Sequence, residues 1–356
     1  MKKILFGIMA VAMMASCSSE ESVGGEPGTG EVKKVSIVVK NAALTRAFAD
    51  AEDTPVANNL KFFFTTSSGV ITNVFDEASA ASTYGPYAVA TSAQKLYVVA
   101  NAEGVAEITA TKGANISAVE GTLFSLENQT IAGAILYGSN TTAFELDPDA
   151  GANHYKTSVQ IAPSVARIQI AKVSSKPAQG DAIVAGDVKG FTLKGIYVDH
   201  YYQNATIAGA GNTMIDLDWS TTPSFSSWMC TEFTPATTAQ LQGVNAEVVP
   251  ADSHLYWDYA VAAGEASHIV LHLETVTRRN VLDTDDITEN NQYVEVLTFN
   301  KSGDPVTNFE PGTIYRISNI QFSTDNLTPQ PGIKAKYVTA TVEVLQWNVE
   351  EITPEL

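Results

Sequence analysis

Lys336-Tyr-Val-Thr-Ala-Thr-Val-Glu-Val-Leu-Gln-Trp-Asn-Val349 alternates along its first half: Val338, Ala340, Val342 and Val344 are small and apolar, with Tyr337, Thr339, Thr341 and Glu343 between them. Period-two alternation of this kind is the mark of a strand with one buried face. The apolar phase then slips, because Leu345, Trp347 and Val349 continue it on odd positions. A slip predicts a bulge or a break into two consecutive strands. The Pro/Gly loop Asn326-Leu-Thr-Pro-Gln-Pro-Gly332 just before reads as a hinge.

Working back from there, the same texture recurs. Val35-Ser-Ile-Val-Val39, Leu60-Lys-Phe-Phe-Phe64, Lys95 to Ala100, Ala166 to Ile170, Phe191 to Val198, His268 to Leu273, Tyr293 to Phe299 and Thr313 to Phe322 are short and rich in β-branched or aromatic residues. Clusters of Gly, Pro, Asn and Asp separate them, the spacing of β-sandwiches. Helical periodicity is weak, and the best candidate is Ser117 to Leu126, so an all-β fold with one or two short helices is expected. No repeat of 20 to 50 residues is present. The segment Ser174-Ser-Lys-Pro-Ala-Gln-Gly-Asp181 breaks pairing and marks a boundary. The expected organisation is a leader (1–17), a tether and first strand (18–46), and two β-sandwich domains in series (47–178 and 179–356).

The N-terminus carries a different signal. Lys2 and Lys3 precede an apolar run, Ile4 to Ala15, that ends in Met14-Ala-Ser-Cys17. A basic start, a short apolar stretch and two small residues before a cysteine form an export signal of lipoprotein type, with Cys17 as the acylated residue. Ser18 to Glu31 is a Ser/Gly/Glu-rich tether. The strand after it places Val35, Ile37 and Val39 on one face, and Arg46 follows in the small, polar stretch Asn41-Ala-Ala-Leu-Thr-Arg-Ala-Phe-Ala-Asp50. With Cys17 acylated, Cys230 has no partner for an intrachain disulfide and reads as a small buried hydrophobe.

Composition narrows the function. A net charge of −18 and a pI near 4.6 exclude nucleic acid as the natural partner, because phosphate contacts need a basic surface. His268 and His272 on a strand lie roughly 13 Å apart, too far to share an ion, and both are expected to face solvent while Ile269, Leu271 and Leu273 turn inward. His154, His200 and His254 are scattered. Asp147-Pro-Asp149 and Asp283-Thr-Asp-Asp286 lack the spacing of a calcium loop and read as turns. No phosphate loop, dinucleotide fingerprint or nucleophile elbow is present. No catalytic residue, metal or cofactor is expected.

Taken in order, these segments resemble the fimbrillins, shaft subunits of the type V pili of Bacteroidales. The resemblance rests on Cys17, Val35-Ser-Ile-Val-Val-Lys40, Thr45-Arg-Ala-Phe48, Lys95-Leu-Tyr-Val-Val-Ala-Asn-Ala102, Val165-Ala-Arg-Ile168, Gly195-Ile-Tyr-Val198, Glu310-Pro-Gly-Thr-Ile-Tyr315 and Thr341-Val-Glu-Val-Leu-Gln-Trp347. It spans nearly the whole chain. What it implies is a precursor held at the outer membrane by its lipid and carrying two transthyretin-like sandwiches. A protease with arginine or lysine specificity then cuts the Arg46–Ala47 bond. Loss of the strand bearing Val35, Ile37 and Val39 opens a groove. The C-terminal strand of another subunit, with Val338, Ala340, Val342, Val344, Leu345 and Trp347, fills it. Partners would be identical subunits head to tail, anchor and tip subunits, and a host or bacterial surface receptor in adhesion and biofilm formation.

Such an exchange is physically sound. An emptied sheet position is a sticky edge above an apolar groove. Four or five side chains inserted there gain roughly 6–15 kcal/mol, against which ordering the tail costs about 1–2 kcal/mol per residue. A head-to-tail contact that does not close produces filaments. Residues 1–46 hold six Lys/Arg and four Asp/Glu, so the remaining 310 residues carry 15 and 35, a net of −20. The rival reading is a monomeric surface lipoprotein that binds glycan or host protein through its loops, which needs neither Arg46 nor a free C-terminal strand.

Overall fold

The computed structural model describes residues 32–41, 55–130, 132–220, 230–249, 256–262, 265–280, 286–333 and 337–346, with backbone alone for Asn41, Cys230, Trp257, Leu345 and Gln346. Cys17, Arg46, Ala47 and Trp347 lie outside these residues.

The N-terminal half contributes β1 (Val32–Asn41), β2 (Leu60–Thr65), β3 (Ile71–Glu77), β4 (Thr83–Ala90), β5 (Lys95–Ala100), β6 (Leu123–Ser125), β7 (Leu136–Asn140), β8 (Glu145–Leu146) and β9 (His154–Pro163). Its main sheet runs β3-β2-β5-β7-β9-β1-β4, with β8 added to β9. The run of aromatics in β2 is explained by cover on both faces of the sheet. Phe62 and Phe64 join Val35, Ile37, Leu96 and Val98 in one core. Phe63 points the other way, into a second core with Tyr97, Val99, Phe124 and Tyr202.

The C-terminal half contributes β10 (Ala166–Ile170), β11 (Val173–Ser175), β12 (Val188–Asp199), β13 (Tyr201–Thr206), β14 (Gly211–Ile215), β15 (Cys230–Thr238), β16 (Gln240–Gln242), β17 (Asn245–Val248), β18 (Tyr256–Ala260), β19 (His268–Arg278), β20 (Ile287–Lys301), β21 (Asp304–Val306), β22 (Thr313–Ile317), β23 (Ile320–Phe322) and β24 (Val338–Gln346). Its main sheet runs β15-β12-β19-β20-β24-β22-β10-β18, with β21 on β20, and encloses a core that includes Ile168, Leu193, Leu271, Val296, Phe299 and Val342. A four-stranded sheet, β16-β17-β11-β23, lies beside it. Ser174 and Ser175 are buried in β11 of that sheet. The short sheet β14-β13-β6 pairs Thr206 with Leu123 and so ties the two halves together.

Two expectations are corrected. The helix over Ser117 to Leu126 shrinks to one turn, α1 (Ser117–Glu120). Leu123–Ser125 pairs with β13 instead, a tertiary ladder overriding a weak local preference. The phase slip after Val344 produces no bulge through Gln346: Val342, Glu343, Val344, Leu345 and Gln346 pair in unbroken register with Ile317 back to Thr313. The register shift falls on the other side of β24, between Val296 and Thr298 of β20.

Candidate strand-exchange site

Strand β1 lies inside its sheet, parallel to β9 and antiparallel to β4. Val35 stands opposite Tyr155 and Tyr87, and Ile37 opposite Thr157 and Tyr84. Both apolar side chains are 0% exposed and Val39 is half-buried, so the expected inward face is in place. The floor beneath them is aromatic. The Phe62 ring lies 5.0 Å from Tyr84, Phe64 lies 5.8 Å from Phe144, and Phe75 of β3 stacks on Tyr87 of β4 at 4.4 Å. Tyr87 also donates to Glu77 at 2.5 Å, and burial followed by that bond raises its pKa. These contacts bring the outermost strands β3 and β4 together over β2, so β1 and β4 fold across the sheet as a lid.

One glycine is required here. Gly85 has φ +89°, and a Cβ on it would come within 2.7 Å of the Val35 carbonyl oxygen. It lies where the pairing of β4 with β1 shifts between Val35 and Ile37.

The residue that sequence reading missed is Lys33. Its odd number puts it on the same face as Val35 and Ile37, and that parity was the available signal. Its ammonium lies 4.8 Å from the Phe144 ring centre and 5.3 Å from that of Tyr155, and it donates to the Ala93 carbonyl. Burial lowers its pKa.

Strand β24 occupies a slot of the same kind in the C-terminal sheet, parallel to β20 and antiparallel to β22. Val338, Ala340 and Val342 are buried there, Val344 is half-buried, and Leu345 pairs through its backbone with Ile314. In this chain the strand therefore completes its own sheet.

The histidines correct a further expectation. Ile269, Leu271 and Leu273 do turn inward, but His268 and His272 do not face open solvent. His200 covers His268 on the outer side of β19, and Trp219 packs on Tyr197 and Tyr293 of the flanking strands β12 and β20. His272 stacks on Tyr293 at 4.7 Å and is hydrogen-bonded with the Tyr197 hydroxyl at 3.3 Å. His268 stacks on His200 at 4.9 Å. His200 lies 2.7 Å from both Asp216 and Glu265 through its two ring nitrogens. Burial opposes a charge on His200, but the bonds to Asp216 and Glu265 outweigh it and raise its pKa. Burial and then the neighbouring His200 lower that of His268.

Asp147–Asp149 forms a turn as expected, with a 3-10 turn over Pro148–Ala150. Asp286 pairs with Lys189 at 2.8 Å, and Asp283 and Asp285 lie outside the described residues. Among the described residues no group of three or more His, Cys, Asp or Glu is placed to hold a metal ion. A cavity of about 200 Å³ opens between β10, β12, β15, β18 and β19. Its apolar lining includes Ile168, Ile196 and Ile269, and burial pushes the pKa of Asp258 on its wall up to about 7.

No protein-family model and no curated protein sequence matches the chain. Solved structures do. A fimbrilin from Porphyromonas gingivalis aligns over 90% of this chain and 99% of its own, at 18% identity and a TM-score of 0.53. A protein ascribed to cell adhesion in Parabacteroides distasonis aligns over 90% and 100%, at 16% identity and a TM-score of 0.55. Another so ascribed, from Bacteroides eggerthii, covers 91% and 98%, at 18% identity and a TM-score of 0.52. This chain therefore has the all-β sandwich fold of the fimbrillins.

Proposed function

We propose that this chain is the precursor of a fimbrial subunit and has no enzymatic role. In this reading it is exported as a lipoprotein acylated at Cys17, cut after Arg46, and polymerised by donation of the C-terminal strand into the slot left by β1. It takes the chain as two sandwich domains in series, joined head to tail with identical subunits and with anchor and tip subunits at the ends of a surface filament that supports adhesion. The observation that carries it is the place of β1. The strand fills a two-sided slot with Val35 and Ile37 fully buried, yet the chain joins it to β2 only through residues 42–59. A cut in that segment would leave β1 held by noncovalent contacts alone, and its loss would bare two strand edges and an aromatic floor.

The test is mild digestion of purified precursor with an arginine-specific protease, followed by N-terminal sequencing, gel filtration and negative-stain microscopy. A single new N-terminus at Ala47 together with SDS-resistant ladders or filaments supports the reading. A chain that stays monomeric after that cut overturns it. The integration of β24 into its own sheet favours the rival, a monomeric surface lipoprotein binding glycan or host protein through its loops, and the same digestion separates the two.

A further inference from the structure

We propose that the rings of Phe144 and Tyr155, with the Ala93 carbonyl, form a cation box that receives Lys336 of an incoming subunit and thereby sets the register of strand exchange. The inference rests on the strand-exchange reading above and adds to it a position and a side chain.

In the precursor the box is filled by Lys33, whose stem extends the apolar stripe of β1 while its ammonium lies over two ring faces and donates to Ala93. An ammonium over Tyr or Phe in a partly desolvated site is held by the ring quadrupole. Once β1 leaves, the carbonyl of Ala93 loses that donor and the two rings lose their cation. An acceptor left without a partner in a closed groove is costly. The replacement strand is therefore selected for an alkylammonium at one position.

The C-terminal sequence meets that demand at one register. Lys33-x-Val35-x-Ile37-x-Val39 and Lys336-x-Val338-x-Ala340-x-Val342 have the same spacing. Superposed, Val338 takes the place of Val35, Ala340 that of Ile37 and Val342 that of Val39. A slip of one residue turns the apolar face outward. A slip of two in one direction buries Lys336 where Val35 is now fully enclosed, and in the other it puts Val338 in the cation box. The sense of the neighbours agrees as well, since β1 and β24 each lie between one parallel and one antiparallel strand. The poorest match is Ala340, smaller than Ile37, which leaves part of the groove unfilled.

The experiment uses full-length precursor cleaved after Arg46, with filament dissociation followed in warm SDS. Lys336→Met is expected to lose subunits about tenfold faster than the parent, Lys336→Arg to restore most of the loss, and Lys334→Met to behave as the parent. Thermal unfolding before cleavage shows that each variant folds. Register is read separately by disulfide trapping in a Cys230→Ser background. Ala340→Cys with Thr157→Cys should cross-link neighbouring subunits, and Val338→Cys or Val342→Cys with Thr157→Cys should not. Parent-like Lys336→Met filaments, or cross-links only from an off-register pair, overturn the box and leave strand exchange standing. A parent chain that forms no ladders after cleavage overturns both.

Discussion

His200 and His268 stack with their ring planes 10° apart, and His200 is the one held between carboxylates, Asp216 and Glu265. His200 also has a left-handed backbone, φ 54°, at the corner between β12 and β13. The two rings should titrate on opposite sides of the ordinary value of 6.5. A raised folded pKa at His200 gives stability that is complete below 6.5 and is lost as pH rises through the folded value. A lowered one at His268 gives stability present above 6.5 and lost as pH falls through its folded value. NMR titration of the imidazoles checks the order. Replacing His200 by Gln should cost more stability at pH 5.5 than at pH 8, and equal cost at both would refute the assignment.

Asp258 has the opposite habit for a carboxyl. Its pKa is raised from 3.8 to about 7 by burial, so it favours the folded state in acid and that contribution disappears as pH rises through 7. The side chain keeps partial contact with the cavity, which discounts the penalty. Asp258→Asn should therefore be more stable than the parent above pH 8, by about 1–3 kcal/mol. Urea unfolding at pH 5 and pH 8.5 measures the difference.

Ile37 is the larger of the two fully buried aliphatic side chains of β1, with Val35 the other. Ile37→Ala should cost the intact chain about 2–5 kcal/mol, the range for an enclosed aliphatic side chain. After cleavage at Arg46 the severed strand should also leave faster. Stopped-flow release of a fluorophore-labelled N-terminal fragment gives the rate directly, and unchanged release would mean that Ile37 does not anchor the strand.

Gly85→Ala brings a methyl group against the Val35 carbonyl oxygen and forces a side chain onto a positive φ. The expected loss is about 1–3 kcal/mol in the intact chain. The clash with Val35 goes with β1, while that with the Tyr87 amide nitrogen and the backbone strain remain, so the cleaved chain should suffer less but not nothing. Comparing unfolding midpoints before and after cleavage separates the two.

How far the residues announced this structure depends on the distance over which each signal acts. Alternation found the inward faces of β1, β19 and β24, because a strand's period is local. It missed the roof over His268 and His272, since Tyr197, Trp219 and Tyr293 arrive from elsewhere in the chain. Trp219 donates to Asp199 at 2.6 Å and packs edge-on against both tyrosines, a convergence no local pattern encodes. The helix expected over Ser117 to Leu126 yielded for the same reason, once β13 offered Leu123–Ser125 a ladder. Lys33 was overlooked because a lysine at a strand end usually marks solvent, whereas here rings lie over it.

The pairing of β1 with β9 also bears on how the chain folds. Lys34 meets His154 and Asn41 meets Ile161, a closure across about 120 residues, so within its own sheet the first strand to be made is the last to gain both neighbours. Until His154 has been synthesised, β1 has β4 beside it but no parallel neighbour. A strand that joins late can depart without reversing the steps that built the rest.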